Sequence, residues 1–130
     1  MKFCILFVLA VLSISVVTAE ADEKIKLTGE QLTKRIQGYE VLAGVSKEPG
    51  IGFNFMVVAF QNGTRELYWN DGIKSGIDTG THRFINDQTC VIWKTSFEGK
   101  ERCYDVYQID QNQYESWHNG EIAFSYYKIR

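Results

Sequence analysis

After Gly38 the chain alternates between short runs of aromatic and β-branched residues and short turn signals, and this alternation most constrains its fold. Aromatic and β-branched residues favour pleated, half-buried surfaces. The pattern predicts strands over segments 40–45, 53–61, 64–69, 75–79, 81–86, 90–96, 102–109, 113–118 and 121–129. Asn62-Gly63 and Asn119-Gly120 predict tight hairpins, because Asn-Gly supplies the positive φ angles of a type I′ turn.

Many short strands in so short a chain predict an antiparallel meander. Open sheet edges favour aggregation, and closing the sheet removes them. We therefore predict a mainly β fold, a small antiparallel up-and-down barrel or curled meander with one short N-terminal helix and one disulfide. A sandwich of two sheets is the alternative architecture.

One helix is expected before the strands. Thr28 followed by Gln31 is a capping box, and Leu32 and Ile36 are spaced to share one helix face. The pattern predicts a helix over 29–37 whose apolar face packs on the sheet. Such a helix would plug one end of a barrel or lie across its seam.

The first residues resemble a secretory signal peptide. Within 1–19, Lys2 is the only charge, a long apolar run follows, and small residues at 17–19 suit a signal peptidase. A retained anchor is the alternative. We expect a single exported β domain over 20–130, periplasmic or secreted, in which 20–27 is polar and irregular.

The cysteines agree with export. Cleavage removes Cys4 and leaves Cys90 and Cys103, and an even pair in an oxidising compartment is most simply a disulfide. The two residues face each other only if a wide loop over about 95–101 joins their strands. Two cysteines and two distant histidines offer no metal-ligand spacing, and no cofactor motif is present.

Charge excludes some partners. The chain has 14 Lys and Arg against 16 Asp and Glu, a net charge of −2, and no long basic run. A nearly neutral chain is unsuited to nucleic acid as its main partner, and we expect no stable membrane insertion after cleavage. An unknown small molecule or a protein remains as the partner.

The aromatic residues have two interpretations. They can line a ligand cavity, as in lipocalin-like carriers, or fill the core, which is the more common use. The residues concerned are Phe53, Phe55, Trp69, Trp93, Tyr104, Tyr107, Trp117 and Tyr126. Because tryptophan is rarely fully buried, we expect Trp69, Trp93 and Trp117 to contribute to a binding surface near an open end.

Catalytic patterns are weak. Asp78-Thr79-Gly80 matches the string that carries the carboxylate of aspartic proteases, but one copy would require a homodimer. The simpler interpretation is a turn in a polar loop. His82 and His118 are possible acids or bases near neutral pH, yet no nucleophile motif accompanies them.

The second half of the chain resembles a known family. The strings concerned are Cys90-x-x-Trp93, Cys103-Tyr104-x-Val106-Tyr107 and the opening Leu27-Thr28-Gly29-Glu30-Gln31-Leu32. This pattern is similar to that of short exported bacterial proteins called domain of unknown function 995. The resemblance implies export and a small disulfide-linked β fold, and it implies no activity.

These observations favour a non-catalytic binding module for a small apolar ligand, a peptide or a protein. The alternative is a small exported hydrolase or isomerase that uses His82, His118 or Asp78. A purely structural component of the cell envelope is a third possibility.

Overall fold

The fold is known from a computed structural model, which describes residues 24–130, so the predicted signal peptide lies outside the described residues. Its elements are β1 (Ile25–Lys26), α1 (Gly29–Arg35), β2 (Tyr39–Ser46), β3 (Asn54–Phe60), β4 (Thr64–Asn70), β5 (Ser75–Ile85), β6 (Gln88–Trp93), a 3-10 turn (Ser96–Gly99), β7 (Arg102–Asp110), β8 (Gln113–His118) and β9 (Glu121–Lys128).

The sheet closes on itself. Each strand from β2 to β9 pairs antiparallel with the next one along the chain, and β9 returns to pair with β2. This makes an antiparallel barrel of eight strands. The predicted up-and-down barrel is confirmed, and the two-sheet sandwich is wrong.

The short strand β1 corrects one expectation. Ile25 and Lys26 pair with β7 at Gln108 and Tyr107, beyond the stretch where β7 pairs with β6. The prediction of an irregular 20–27 is therefore wrong at these two residues, because the free edge of β7 gives them a partner.

The division of 75–79 from 81–86 is also wrong, because β5 is one strand of 11 residues. Gly80 marks no turn. A Cβ atom at Gly80 would collide with the carbonyl oxygen of Ile92 and lie 2.7 Å from a ring carbon of Trp93, so the glycine leaves room for both. The strand ends at Asn86-Asp87, whose φ angles of 50° and 58° have the signs of a type I′ turn.

The two predicted Asn-Gly hairpins differ. Asn119 and Gly120 both have positive φ, 51° and 78°, which confirms the type I′ signs. At the other hairpin only Gly63 has a positive φ, so type I′ is wrong there. Asn62 instead fixes that turn through its side chain, whose Oδ1 accepts a hydrogen bond of 3.0 Å from the Thr64 amide.

Helix α1 begins as predicted and ends two residues earlier. The amide of Gln31 donates to Thr28 Oγ1 at 3.3 Å, and the amide of Thr28 donates to Gln31 Oε1 at 2.9 Å, so the capping box is confirmed. Leu32 and Ile36 are both buried in the core. Among residues 24–130, no helix has the length and apolar character needed to cross a membrane.

The helix covers one end of the barrel. The Gly29 amide donates to Oδ1 of Asp87 in the β5–β6 turn at 2.7 Å, and Lys128 Nζ at the end of β9 donates to the carbonyl of Arg35 at 2.8 Å. Because α1 contacts strands on different sides of the barrel, it plugs the end of the barrel, and the alternative position across the seam of the sheet is not favoured.

The disulfide register is confirmed. Cys90 and Cys103 are directly opposite in the β6–β7 pairing, and their sulfur atoms lie 2.08 Å apart. The 3-10 turn at Ser96–Gly99 widens the connection, with positive φ at Phe97 and Glu98.

Two substitutions test the docked helix. Thr28→Ala should cost about 1 kcal/mol through loss of the cap. Leu32→Ala should cost more, about 2–5 kcal/mol, because Leu32 is fully buried and its truncation leaves a cavity. Urea unfolding measures both, and equal small effects would mean that the helix is not docked.

Candidate functional site

A cavity lies inside the barrel. Its volume is about 60 Å³. A single water molecule needs about 10–15 Å³, so the cavity has room for several. Its aliphatic wall consists of the inward-facing residues Leu42, Val57, Leu67, Val91 and Val106.

The end of the cavity away from α1 is aromatic. Four phenylalanines, which we call the aromatic end, crowd together there: Phe53, Phe55, Phe97 and Phe124. The ring centroid of Phe124 lies 5.3 Å from that of Phe55, 6.1 Å from that of Phe53 and 6.2 Å from that of Phe97. Phe53 and Phe97 belong to inter-strand connections, so these connections narrow the opening of the barrel.

The end beneath α1 carries charge, and we call Arg35, Glu40 and Arg65 the charged end. Glu40 on β2 is fully buried. Arg35 Nε lies 3.0 Å from Glu40 Oε2, and Arg35 Nη2 donates to Glu40 Oε1 at 3.2 Å, so the two groups form a buried ion pair. Only the second of these contacts is a hydrogen bond, because Arg35 Nε and Glu40 Oε2 have no hydrogen-bond partner within residues 24–130. Lys128 Nζ lies 3.8 Å from the same carboxylate.

Arg65 has no such partner. Its side chain extends from β4 into the cavity wall, the residue is only 7% exposed, and Nε has no hydrogen-bond acceptor within residues 24–130. Burial lowers the pKa of Arg65 to about 10; the charge of Arg35 lowers it and that of Glu40 opposes the shift. The guanidinium therefore stays charged at neutral pH although it is buried.

His82 lies on the inner face of β5 and is also buried, with an unpartnered Nδ1. Burial lowers the pKa of His82 to about 4, and the charges of Arg65 and Arg35 act in the same direction. The imidazole is therefore neutral at neutral pH.

This shift predicts an acid-sensitive step in stability. Below the ordinary pKa of 6.5 the unfolded chain binds a proton at His82 that the folded barrel rejects until about pH 4. The free energy of unfolding should therefore fall as pH decreases through this window, by up to about 1.4 kcal/mol per pH unit. Urea unfolding at several pH values across this window should show that the free energy of unfolding falls in the native protein and in His118→Gln. In His82→Gln this pH dependence should be lost. An unchanged slope in His82→Gln would contradict the assignment.

Asp78 is a buried strand residue rather than part of a polar turn, so that interpretation is wrong. Its Oδ2 accepts hydrogen bonds from the Ser96 amide at 2.7 Å and from the amide and hydroxyl of Thr95 at 3.2 and 3.0 Å. Burial raises the pKa of Asp78, but these hydrogen bonds outweigh it and lower the pKa to about 2. Asp78 thus holds the connection after β6 in place.

The three candidate catalytic residues are not brought together. Asp78 and His82 are four positions apart on one strand, a separation of about 13 Å. His118 lies three strands further round the barrel, where its Nδ1 is 3.1 Å from the Cys103 carbonyl. No acid–base pair forms among these three.

The three tryptophans occupy different places. Trp93 is buried and lines the cavity, and Trp69 is half-buried at the aromatic end, with its ring against Gly76. Trp117 is on the outer face, where its Nε1 donates to Glu115 at 3.2 Å and Lys24 lies over its ring. The structure therefore brings Trp93 to the cavity, places Trp69 at the rim of the aromatic end and leaves Trp117 outside. Their role in ligand binding stays a prediction.

Sequence reasoning missed the charged end, although a signal for it exists. Side chains alternate between the two faces of a strand, and Arg65 is in phase with Leu67 and Trp69. Glu40 is likewise in phase with Leu42. A charged residue in the inward phase of a barrel strand is the feature to look for.

One group of metal-ligating side chains lies together within the described residues. Ligand atoms of Cys90, Glu101 and Cys103 are within 4.8 Å of one another. The two sulfur atoms are bonded to each other, so they do not act as thiolate ligands.

The fold and this cavity define a small closed β-barrel with an amphipathic interior. Comparison with protein-family models, with curated proteins and with solved structures finds no match to the chain.

Proposed function

We propose that this chain is an exported, non-catalytic binding protein that takes a small, largely apolar molecule into the interior of its barrel. The single observation that carries the proposal is the cavity, which has an apolar wall and lies between the charged end and the aromatic end. Ligand sites in proteins have this character, mostly apolar with a few polar groups that set orientation.

The dimensions of the cavity limit the ligand. About 60 Å³ accommodates a short alkyl chain or one small ring. Removing apolar surface from water contributes about 25 cal/mol per Å², so a ligand of this size gains a few kcal/mol from the wall. We therefore expect modest affinity for simple molecules. We also propose, from the resemblance of its sequence strings, that the chain is related to the exported proteins called domain of unknown function 995, which implies no activity.

Thermal unfolding with neutral 1-alkanols, from butanol to decanol, tests the proposal. A ligand that binds only the folded state stabilises it, by about 2.7 kcal/mol at a hundred times its dissociation constant. Alkanols of intermediate length should raise the melting temperature, and the longest should do so less because they exceed the cavity.

Matched variants locate the effect. Val91 lines the cavity, whereas its neighbour Ile92 is 40% exposed on the outer face. Val91→Phe should abolish stabilisation by alkanols and Ile92→Phe should retain it. If Val91→Phe does not fold, Val57→Phe provides the same test, because Val57 also lines the cavity. Its control is Met56→Phe, since Met56 is 38% exposed. Equal stabilisation of filled and control variants, or none of the native protein, would overturn the proposal.

A further inference from the structure

We propose that the ligand of this cavity is a small apolar carboxylate whose single negative charge pairs with Arg65. The inference rests on the proposed function and specifies the chemistry of its ligand. It follows from the charges buried at the charged end and from the polar atoms that have no partner there.

The charges at the charged end do not balance. Arg35 and Glu40 form a buried ion pair joined by one hydrogen bond, which leaves the guanidinium of Arg65 as a second buried cation. Burying an ion without a counter-ion is costly, so a protein that retains one ordinarily supplies a partner. Within residues 24–130 no carboxylate lies within ion-pair distance of Arg65.

The neighbouring groups cannot supply the missing charge. His82 is neutral or positive in its two protonation states, so it never offsets a guanidinium. Asp78 does not line the cavity, and its oxygens already accept four hydrogen bonds, from Thr79, Thr95 and Ser96. The compensating anion must therefore come from outside the described part of the chain.

A carboxylate fits this position best. The planar guanidinium donates two parallel hydrogen bonds to the two oxygens of a carboxylate. Lys128 also carries a positive charge 3.8 Å from Glu40, but its side chain is 25% exposed and reaches water. Among the buried groups one excess positive charge remains, which matches a monoanion, whereas a doubly charged phosphate would leave a negative charge buried. Thr89 adds a second unpartnered group to the cavity wall, a buried hydroxyl that can donate to the same head group.

The ends of the barrel fix the orientation of the ligand. Arg65 is the second residue of β4, next to the end covered by α1. Phe53 and Phe97 lie at the opposite end, beyond the aliphatic wall. The carboxylate is thus expected at the charged end and the apolar tail is expected to point to the aromatic end.

Calorimetric titration of the full mature chain with hexanoate and hexan-1-ol, at neutral pH and low chloride, tests the inference. These two probes share a tail and differ in the charge of the head. The native protein should bind hexanoate at least about tenfold more tightly than hexan-1-ol, as expected for a hydrogen bond to a charged group.

Three variants identify the group responsible. Arg65→Met should remove the preference for hexanoate while binding of hexan-1-ol is kept or improved. Arg65→Lys keeps the charge but loses the bidentate geometry, so the preference for hexanoate over hexan-1-ol should become smaller. This variant replaces Arg65→Met in the test if the methionine variant fails to fold. Arg83→Met is the control, because Arg83 is exposed on the same sheet and pairs with Glu101.

The outcomes separate the two proposals. Equal binding of both probes by the native protein, or a preference that survives in Arg65→Met, would overturn the carboxylate inference and leave the binding function standing. Binding of neither probe would overturn the proposed function itself. Binding of chloride alone at Arg65 would also overturn the inference, since an inorganic ion would then be the partner.

Discussion

Replacing Glu40 with glutamine is expected to lower the free energy of unfolding by about 3–5 kcal/mol, because it breaks a buried ion pair and leaves its partner uncompensated. Glu40 is fully buried and forms an ion pair with Arg35 that includes one hydrogen bond. Its carboxylate also offsets part of the charge of Arg65. Without it, two guanidinium groups share one apolar interior. Urea unfolding followed by circular dichroism measures the loss.

Two further variants sharpen this test. Glu101→Gln breaks the exposed pair with Arg83 and should change stability little, since water screens such pairs. Arg65→Met should be neutral or stabilising, and it should recover part of the loss in the Glu40→Gln background. A loss for Glu40→Gln no larger than that for Glu101→Gln would contradict the charge balance described above.

Removing the disulfide is expected to have the second-largest effect. Replacing both Cys90 and Cys103 with serine should cost about 2–5 kcal/mol, as loss of a native disulfide does in small domains of this kind. The bond joins residues 13 positions apart, so it restricts the unfolded chain across the wide connection after β6. Thermal unfolding with and without reductant measures the effect.

The double serine variant is its own control. Reductant should lower the melting temperature of the native protein and leave that of the variant unchanged. A native melting temperature that does not respond to complete reduction would show that the bond adds no stability.

The barrel was largely predictable because local signals agree with the global fold. The alternation of strands and turns predicts the meander, and closure follows from the cost of free edges. The register at Cys90 and Cys103 was predictable from bond geometry alone. The errors fall where residues distant in the sequence determine the local structure. Gly80 leaves room for the Ile92 carbonyl and the Trp93 ring on the neighbouring strand, and Ile25 pairs with a strand far along the chain.

The site was less predictable for the same reason. Strand phase places Arg65 inside, but its lack of a partner becomes visible only in the closed barrel, where the one buried carboxylate nearby, Glu40, pairs with Arg35. Trp117 shows the limit of counting aromatic residues, because the phase of its strand directs it outward. A tryptophan can pack on the outer face of a sheet as well as in the core, so its presence alone does not predict which side it occupies.

Titration of the methyl-labelled protein with hexanoate, followed by NMR, tests the central claim of interior binding most directly. Methyl signals of the wall residues Leu42, Val57 and Val91 should shift together and saturate at one dissociation constant. Ile73 and Ile77, which are 91% and 70% exposed, should not shift. Shifts confined to the exposed isoleucines, or no saturable shift at the wall, would contradict binding inside the barrel.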